Sequence, residues 1–300
     1  MGITLGIIGY GEVGGIFGRG LRDKPGVDAV LAWDLRFADT QRGQAARAAA
    51  TADGIEAAAD MAALCARADL LISAVTASNT LAVAEEAARH GRAGTRFLDL
   101  NSASPGTKQK AAAALQAAGV DYVEAGVMTS VPPYGIRVPM LLGGAHAAAL
   151  AGQLADWGMD AKAVSAALGV ASAIKMSRSI MIKGLEALVI ESYATARHYG
   201  VEDHVLPTLQ ETFPQIDWER QGAYFFSRVV QHGKRRAEEM HESALTVQEA
   251  GFEPLMATAI ARKQDWVAQC AREGVFDGVD PKARWQDYAD RLVRRADRKA

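Results

Sequence analysis

Cysteine is scarce in this chain: Cys65 and Cys270 are the only two in 300 residues, each in an alanine-rich stretch without C-x-x-C spacing. They exclude a cysteine-ligated zinc site and allow at most one disulfide, so buried thiols in a reducing compartment are expected. The six histidines include no H-E-x-x-H, and His241-Glu242 lacks a second ligand four residues on. Charge of one sign is lacking too. A formal net charge of −2 creates no field that gathers nucleic acid or an anionic membrane surface. The basic cluster Arg291, Arg294, Arg295, Arg298 and Lys299 reads as a solvated helix end, where cations suit the dipole. No apolar run approaches the roughly 20 residues of a membrane span, and the first strand begins so near Met1 that no signal peptide fits. No internal repeat is evident. These absences predict a cytoplasmic protein of one or two domains with neither nucleic-acid nor membrane partners.

The most informative stretch is residues 3–14, ITLGIIGYGEVG. A short apolar run (Ile3, Leu5, Ile7, Ile8) enters Gly9-Tyr10-Gly11-Glu12-Val13-Gly14, and helix-compatible sequence follows. A buried strand passing through G-x-G-x-x-G into a helix builds a seat for a pyrophosphate. Gly9 permits the tight turn, Gly11 lets the backbone approach the phosphates, and Gly14 lets helix and strand pack closely. The helix start at Glu12 and Val13 supplies unpaired N–H donors and a partial positive charge. Among 29 glycines the motif alone is weak, but here strand, helix and a distant acid all accompany it. That acid, Asp34, ends a second apolar run, Ala29 to Trp33. A carboxylate there accepts hydrogen bonds from both adenosine ribose hydroxyls and repels a 2′-phosphate, which favours NAD. Arg36, two residues on, suits a 2′-phosphate and keeps NADP open. Asp34 as a mere loop cap is the plainer alternative.

Strand-like runs at 70–75, 96–100, 122–125 and 138–142 alternate with helix-like segments at 12–21, 57–67, 79–90, 104–118 and 145–156. Such alternation predicts a doubly wound parallel α/β sheet. Beyond about residue 168 strand signals vanish. One long helix over 171–199 leads into helices near 218–231, 233–250, 254–272 and 282–297. The expected domains are 1–166, binding the dinucleotide, and 167–300, all-helical, with the boundary near Ala166.

Ligands of such sheets lie beyond the carboxyl ends of the strands. Three segments there carry chemistry. Asp99-Leu100-Asn101-Ser102-Ala103-Ser104-Pro105-Gly106 places an amide and two hydroxyls before a helix start, although Ser104 as N-cap and Pro105 at the first helical position explain part of it. Gly126 to Pro133 offers Thr129 and Ser130 to a substrate carboxylate, or is simply a proline-rich turn. Gly169 to Ser179 sets Lys175 early in the long helix, with Ser179 one turn further on the same face. A lysine partly withdrawn from water near a cleft passes a proton at neutral pH; a snorkelling surface lysine is the commoner alternative.

The order GYGEVG, DLNSASPG, EAGVMTS and G-x5-K resembles the β-hydroxyacid dehydrogenases, which include 3-hydroxyisobutyrate dehydrogenase, tartronate semialdehyde reductase and 6-phosphogluconate dehydrogenase. The resemblance spans most of the chain and implies a Rossmann domain, a long interdomain helix and a helical dimerising domain. It implies that Lys175 is the general acid/base and that Ser102 helps bind a small-molecule hydroxyacid or related alcohol. Asn101, Val75 and Thr76 fall at cofactor-lining positions. The departures are informative. The family's S-G-G loop is Met128-Thr129-Ser130, its asparagine after the lysine is Ser179, and the glutamate of the phosphogluconate enzymes is Ile182, which makes 6-phosphogluconate an improbable substrate. The family's K-D pair aligns with Glu238-Glu239. Lys183-Gly184, Arg235-Arg236 and Glu239-Met240 resemble a divergent subgroup with a poorly characterised C-terminal domain. An imine reductase and a non-catalytic dinucleotide-binding module are the rival readings; imine reductases commonly carry aspartate or tyrosine in place of the lysine. A homodimer is expected, with His232 or Arg235 of a partner as candidates to complete the cleft.

Overall fold

The computed structural model describes residues 2–38 and 42–298; Lys299 of the basic cluster lies outside them. In chain order the elements are β1 Ile3–Ile8, α1 Glu12–Leu21, β2 Val27–Trp33, α2 Arg42–Ala52, β3 Glu56–Ala57, α3 Met61–Arg67, β4 Leu70–Ser73, α4 Thr80–His90, β5 Arg96–Asp99 and α5 Pro105–Ala117. Then follow β6 Asp121–Val127, β7 Met140–Gly143, α6 Ala147–Asp156, β8 Ala161–Ser165, α7 Val170–Tyr199, α8 Glu202–Thr212, α9 Trp218–Glu249, α10 Leu255–Arg272 and α11 Trp285–Asp297. The chain forms two compact units, Met1–Met176 and Ser177–Ala300. The boundary expected near Ala166 falls in the loop before α7. Packing divides the chain after Met176, so the start of α7, Lys175 included, belongs with the sheet.

The sheet runs β3-β2-β1-β4-β5-β6-β7-β8, parallel from β3 to β6. Alternate residues of the buried strands feed two apolar layers. Leu5, Ile7, Leu70, Ile72, Leu98 and Val123 face one side, and Ile8, Leu71, Phe97 and Tyr122 face the other. Helices therefore cover both faces, as a doubly wound sheet requires. Each fully buried aliphatic side chain contributes roughly 1.5–3 kcal/mol. Strand order reverses between β1 and β4, which opens a crevice at their carboxyl ends.

Three local expectations are corrected. β7 pairs antiparallel with β6, because the 128–139 connection turns the chain back instead of crossing over. The segment 57–67 is not one helix: β3 comes first, and α3 starts after Asp60, whose carboxylate accepts from Ala63 N. The segments 218–231 and 233–250 form one helix, α9, running through Gly233. The strand β8 and the helix α2 carried no clear periodic signal in the sequence.

Among its described residues the second unit holds helices and the turns that join them, and no strand. Its core gathers Tyr193, Phe226, Trp285 and Tyr288; Tyr193 and Trp285 meet edge to face at 4.8 Å. Cys65 and Cys270 are buried thiols, one in each unit. Burial pushes the Cys65 thiol up to about 11. Among the described residues no helix is long and apolar enough to cross a membrane.

Candidate active site at the strand ends

The glycine turn shows which glycines the protein itself needs. Gly9 has φ of +88°, and a Cβ there would stand 2.7 Å from the Ala74 carbonyl oxygen. At Gly14 a Cβ would stand 2.0 Å from the Gly9 carbonyl oxygen, so the helix packs this closely on the turn only because Gly14 lacks a side chain. Gly11 differs. A Cβ there meets nothing within 4 Å, and α1 has no side-chain N-cap. The open space above Gly11 and the uncapped helix start suit a pyrophosphate, which demands close backbone approach and N–H donors. Glu12 is exposed and Val13 half-buried at this rim.

Asp34 leaves β2 beside the turn. Its Oδ2 accepts from Tyr10 N at 2.8 Å, and its Oδ1 accepts from Arg36 N and Nε, both at 2.9 Å. Arg36 Nη2 also donates to Asp34 Oδ2 at 3.0 Å and to the Tyr10 carbonyl at 2.6 Å. Burial raises the Asp34 carboxyl, but the Arg36 bonds and charge with the Tyr10 N–H outweigh it and hold it below the ordinary range. The acid and the arginine, rival cofactor determinants in the sequence, thus form one unit. Tyr10 braces the turn from beneath. Its hydroxyl donates to Asp53 at 2.7 Å, and Asp53 pairs with Arg19 at 2.7 Å.

The ends of β4 and β5 are wired together. Asn101, buried, accepts from Val75 N through Oδ1 at 2.7 Å and donates through Nδ2 to Ser73 Oγ at 2.9 Å. Its amide therefore shapes the Val75 backbone. Thr76 is exposed, its hydroxyl accepting from Asn79 Nδ2 at 2.8 Å. Behind the loop lies Asp99, fully buried, which accepts from Asn101 N at 2.9 Å and Tyr122 OH at 2.7 Å and pairs with Lys108 Nζ at 2.9 Å. Lys108, equally buried, also donates to the Asp99 carbonyl at 3.0 Å. Burial, together with Asp99 and Glu124, pushes the Tyr122 phenol well above its ordinary value. Ser104 caps α5 by accepting from Thr107 N at 3.1 Å, and Pro105 opens the helix.

From this base Ser102 accepts a 2.6 Å hydrogen bond from Lys175 Nζ. The two residues lie 73 positions apart. Lys175 is half-buried on α7, which presses against β6: a Cβ on Gly126 would stand 2.9 Å from the Ala171 carbonyl and 3.4 Å from Lys175 Cβ. Thr129 is exposed and Ser130 half-buried in the connection just after β6. Ser179 is buried one turn beyond Lys175 and lies in the second unit. In that unit Glu239, at the aligned K-D position, pairs with Lys183 at 2.7 Å. Glu186 pairs with Arg236 through two bonds, and Gln264 Nε2 reaches Glu186 at 3.3 Å.

Sequence reasoning missed the buried charges. Lys108 sits in PGTKQKAAAA, indistinguishable from a solvated helix surface. Glu124 had a signal: it is an acid in the middle of the otherwise apolar run 122–127 of β6. Such an acid is tolerated there only with donors aimed at it.

Residues 4–151 match the family described as the NAD binding domain of 6-phosphogluconate dehydrogenase. Residues 196–267 match a domain of unknown function, DUF1932. A conserved hypothetical protein from Sinorhizobium meliloti 1021 is 37% identical, with a TM-score of 0.75 over 98% of this chain and 97% of that one. A conserved protein of unknown function, described as structurally similar to 3-hydroxyacid dehydrogenases, is 29% identical, with a TM-score of 0.68 over 90% of this chain and 98% of that one. The Mycobacterium tuberculosis 3-hydroxyisobutyrate dehydrogenase with L-serine has a TM-score of 0.67 over 97% and 99%. At 14% identity that likeness is one of fold alone.

Proposed function

Starting from a chain that belongs to the β-hydroxyacid dehydrogenase family, in the branch joining the NAD-binding domain of 6-phosphogluconate dehydrogenase to DUF1932, we propose an NAD(P)-dependent oxidoreductase acting on an alcohol beside a carboxylate, or on the matching carbonyl. The bound nicotinamide would supply or take the hydride. Lys175 manages the proton: as ammonium it donates to the carbonyl oxygen in reduction, and as amine it accepts from the hydroxyl in oxidation. The observation that carries this reading is the 2.6 Å bond from Lys175 Nζ to Ser102 Oγ at the carboxyl end of the sheet. A surface lysine that only reaches for water has no need of a half-buried serine 73 residues away.

Ser102 holds the amine and offers its hydroxyl to substrate. Thr129 and Ser130 are the candidate donors for a substrate carboxylate, and Ser179 is a candidate by its place four residues after Lys175 on α7. Gly9, Gly11 and the N–H groups at Glu12 and Val13 seat the pyrophosphate. Asp34 would accept from the ribose hydroxyls of NAD. With NADP, Arg36 would meet the 2′-phosphate instead. Val75, Thr76 and Asn101 line the nicotinamide half, Asn101 by holding the Val75 backbone. The protein acts in the cytoplasm, where its buried thiols stay reduced, and as a homodimer.

The test is Lys175→Ala with a panel of hydroxyacids and NAD. Turnover is expected to fall by about 10²–10⁴-fold, while NAD affinity stays within a few-fold. Unchanged turnover removes Lys175 from the mechanism. Firm NAD binding with silence across the panel in the wild-type chain favours a binding module. Retention of the lysine speaks for alcohol chemistry over imine reduction.

A further inference from the structure

Most helices are closed at the N-terminus by a short polar side chain just ahead of the first turn. The residue in that position before α7 is Gly169, with φ of +97°, a conformation that side-chain-bearing residues rarely adopt. The cap therefore comes from elsewhere. The N–H groups of Gly169 and Ala171 donate to Glu124 Oε1 at 2.8 and 3.1 Å, and Ser172 Oγ donates to Oε2 at 2.7 Å. Glu124 sits on β6, 45 residues before Gly169, and is wholly buried. Its β7 partner Gly143 makes the room: a Cβ there would stand 2.4 Å from Oε1.

A second fixing point lies two residues along the same strand, where Gly126 lets the Ala171 carbonyl and Lys175 Cβ close in. Two contacts on one strand set both the height and the rotation of the helix start. Lys175 follows Ala171 by four residues and Ser172 by three, so it lies on the same helical face one turn on. The negative charge also answers the positive end of the helix, which an uncharged cap does less well.

We infer that Glu124 is the positioning residue for Lys175: it clamps the first turn of α7 to β6 and so sets the reach of the amine to Ser102. The inference rests on Lys175 as the acid/base group and adds the residue that holds it in place.

The experiment compares Glu124→Ala and Glu124→Gln in the full chain, by hydrogen exchange and by reductive methylation with formaldehyde and cyanoborohydride. In folded E124A the amides at 169–175 should exchange about tenfold faster or more. Lys175 should be methylated faster relative to the other lysines. E124Q keeps an acceptor for both N–H groups and should restore most of both properties. In NAD-linked turnover of the hydroxyacid panel, E124A should lower kcat by about 10²-fold with KM little changed. It should add nothing to the K175A defect. Unchanged exchange and labelling in E124A overturn the inference, as does a loss of kcat that persists undiminished in the K175A background. Should E124A fail to fold, Ser172→Ala removes one donor and is read by the same criteria, with smaller changes. K175A with full turnover overturns the acid/base reading. K175A inactive with E124A unaltered overturns this inference alone.

Discussion

At the scale of single residues, the site depends on charges placed where water does not reach. Asp99 and Lys108 are both buried, and their pairing holds the loop from which Asn101 and Ser102 project. Replacing one member of a buried pair leaves the other charged and uncompensated, a far larger penalty than losing a surface ion pair. Lys108→Met is therefore expected to lower stability by about 3–5 kcal/mol in urea unfolding. The double variant Lys108→Met with Asp99→Asn should lose less, because it strands no charge. Equal losses in the two would mean that packing volume, not charge, is what Lys108 supplies. None of this was legible in the sequence, where Lys108 looks like any helix-surface lysine. Lys175 stood out only through the resemblance of its G-x5-K setting to a family motif.

At the scale of elements, the turn into α1 separates structural glycine from functional glycine. A Cβ at Gly14 collides with the Gly9 carbonyl, while one at Gly11 meets open space. Gly14→Ala should thus lower the melting temperature and weaken NAD binding together. Gly11→Ala should leave the melting temperature within a degree or two and still cut NAD affinity about tenfold or more, since one lost close contact of 1.4 kcal/mol is a factor of ten. Calorimetric titration with NAD beside a thermal melt checks both. Intact NAD affinity in Gly11→Ala would remove the pyrophosphate from that space. The other lesson at this scale is α9. The segments 218–231 and 233–250 read as two helices yet form one, and the missing side chain of Gly233 admits the α10 backbone: a Cβ would stand 2.9 Å from the Gln264 carbonyl.

At the scale of the whole molecule, the helical unit leaves large apolar side chains in water. Met181 and Leu188, seven residues apart on α7, are 66% and 57% exposed, and Phe252, just ahead of α10, and Leu255 and Met256 in its first turn are exposed as well. Apolar side chains gathered this way are costly for a monomer and suit the self-complementary face of a two-fold dimer. Light scattering should give a particle of twice 31.8 kDa. A 31.8 kDa particle at micromolar concentration would defeat the dimer. Met181→Glu with Leu188→Glu should shift the mass toward the monomer without unfolding it.

Most of the alternation of strands and helices in the first unit, the glycine turn and the acid at the end of β2 were readable in the sequence, and Lys175 was singled out by its resemblance to a family motif. Each is written in near neighbours: apolar periodicity, turn glycines, a short motif. Only the tertiary structure decided that Arg36 sits on Asp34, that β7 turns antiparallel, and that Glu124 closes α7 from 45 residues away. Whether a charged side chain is buried or solvated depends on the partner that folding brings to it, and no local pattern records that partner.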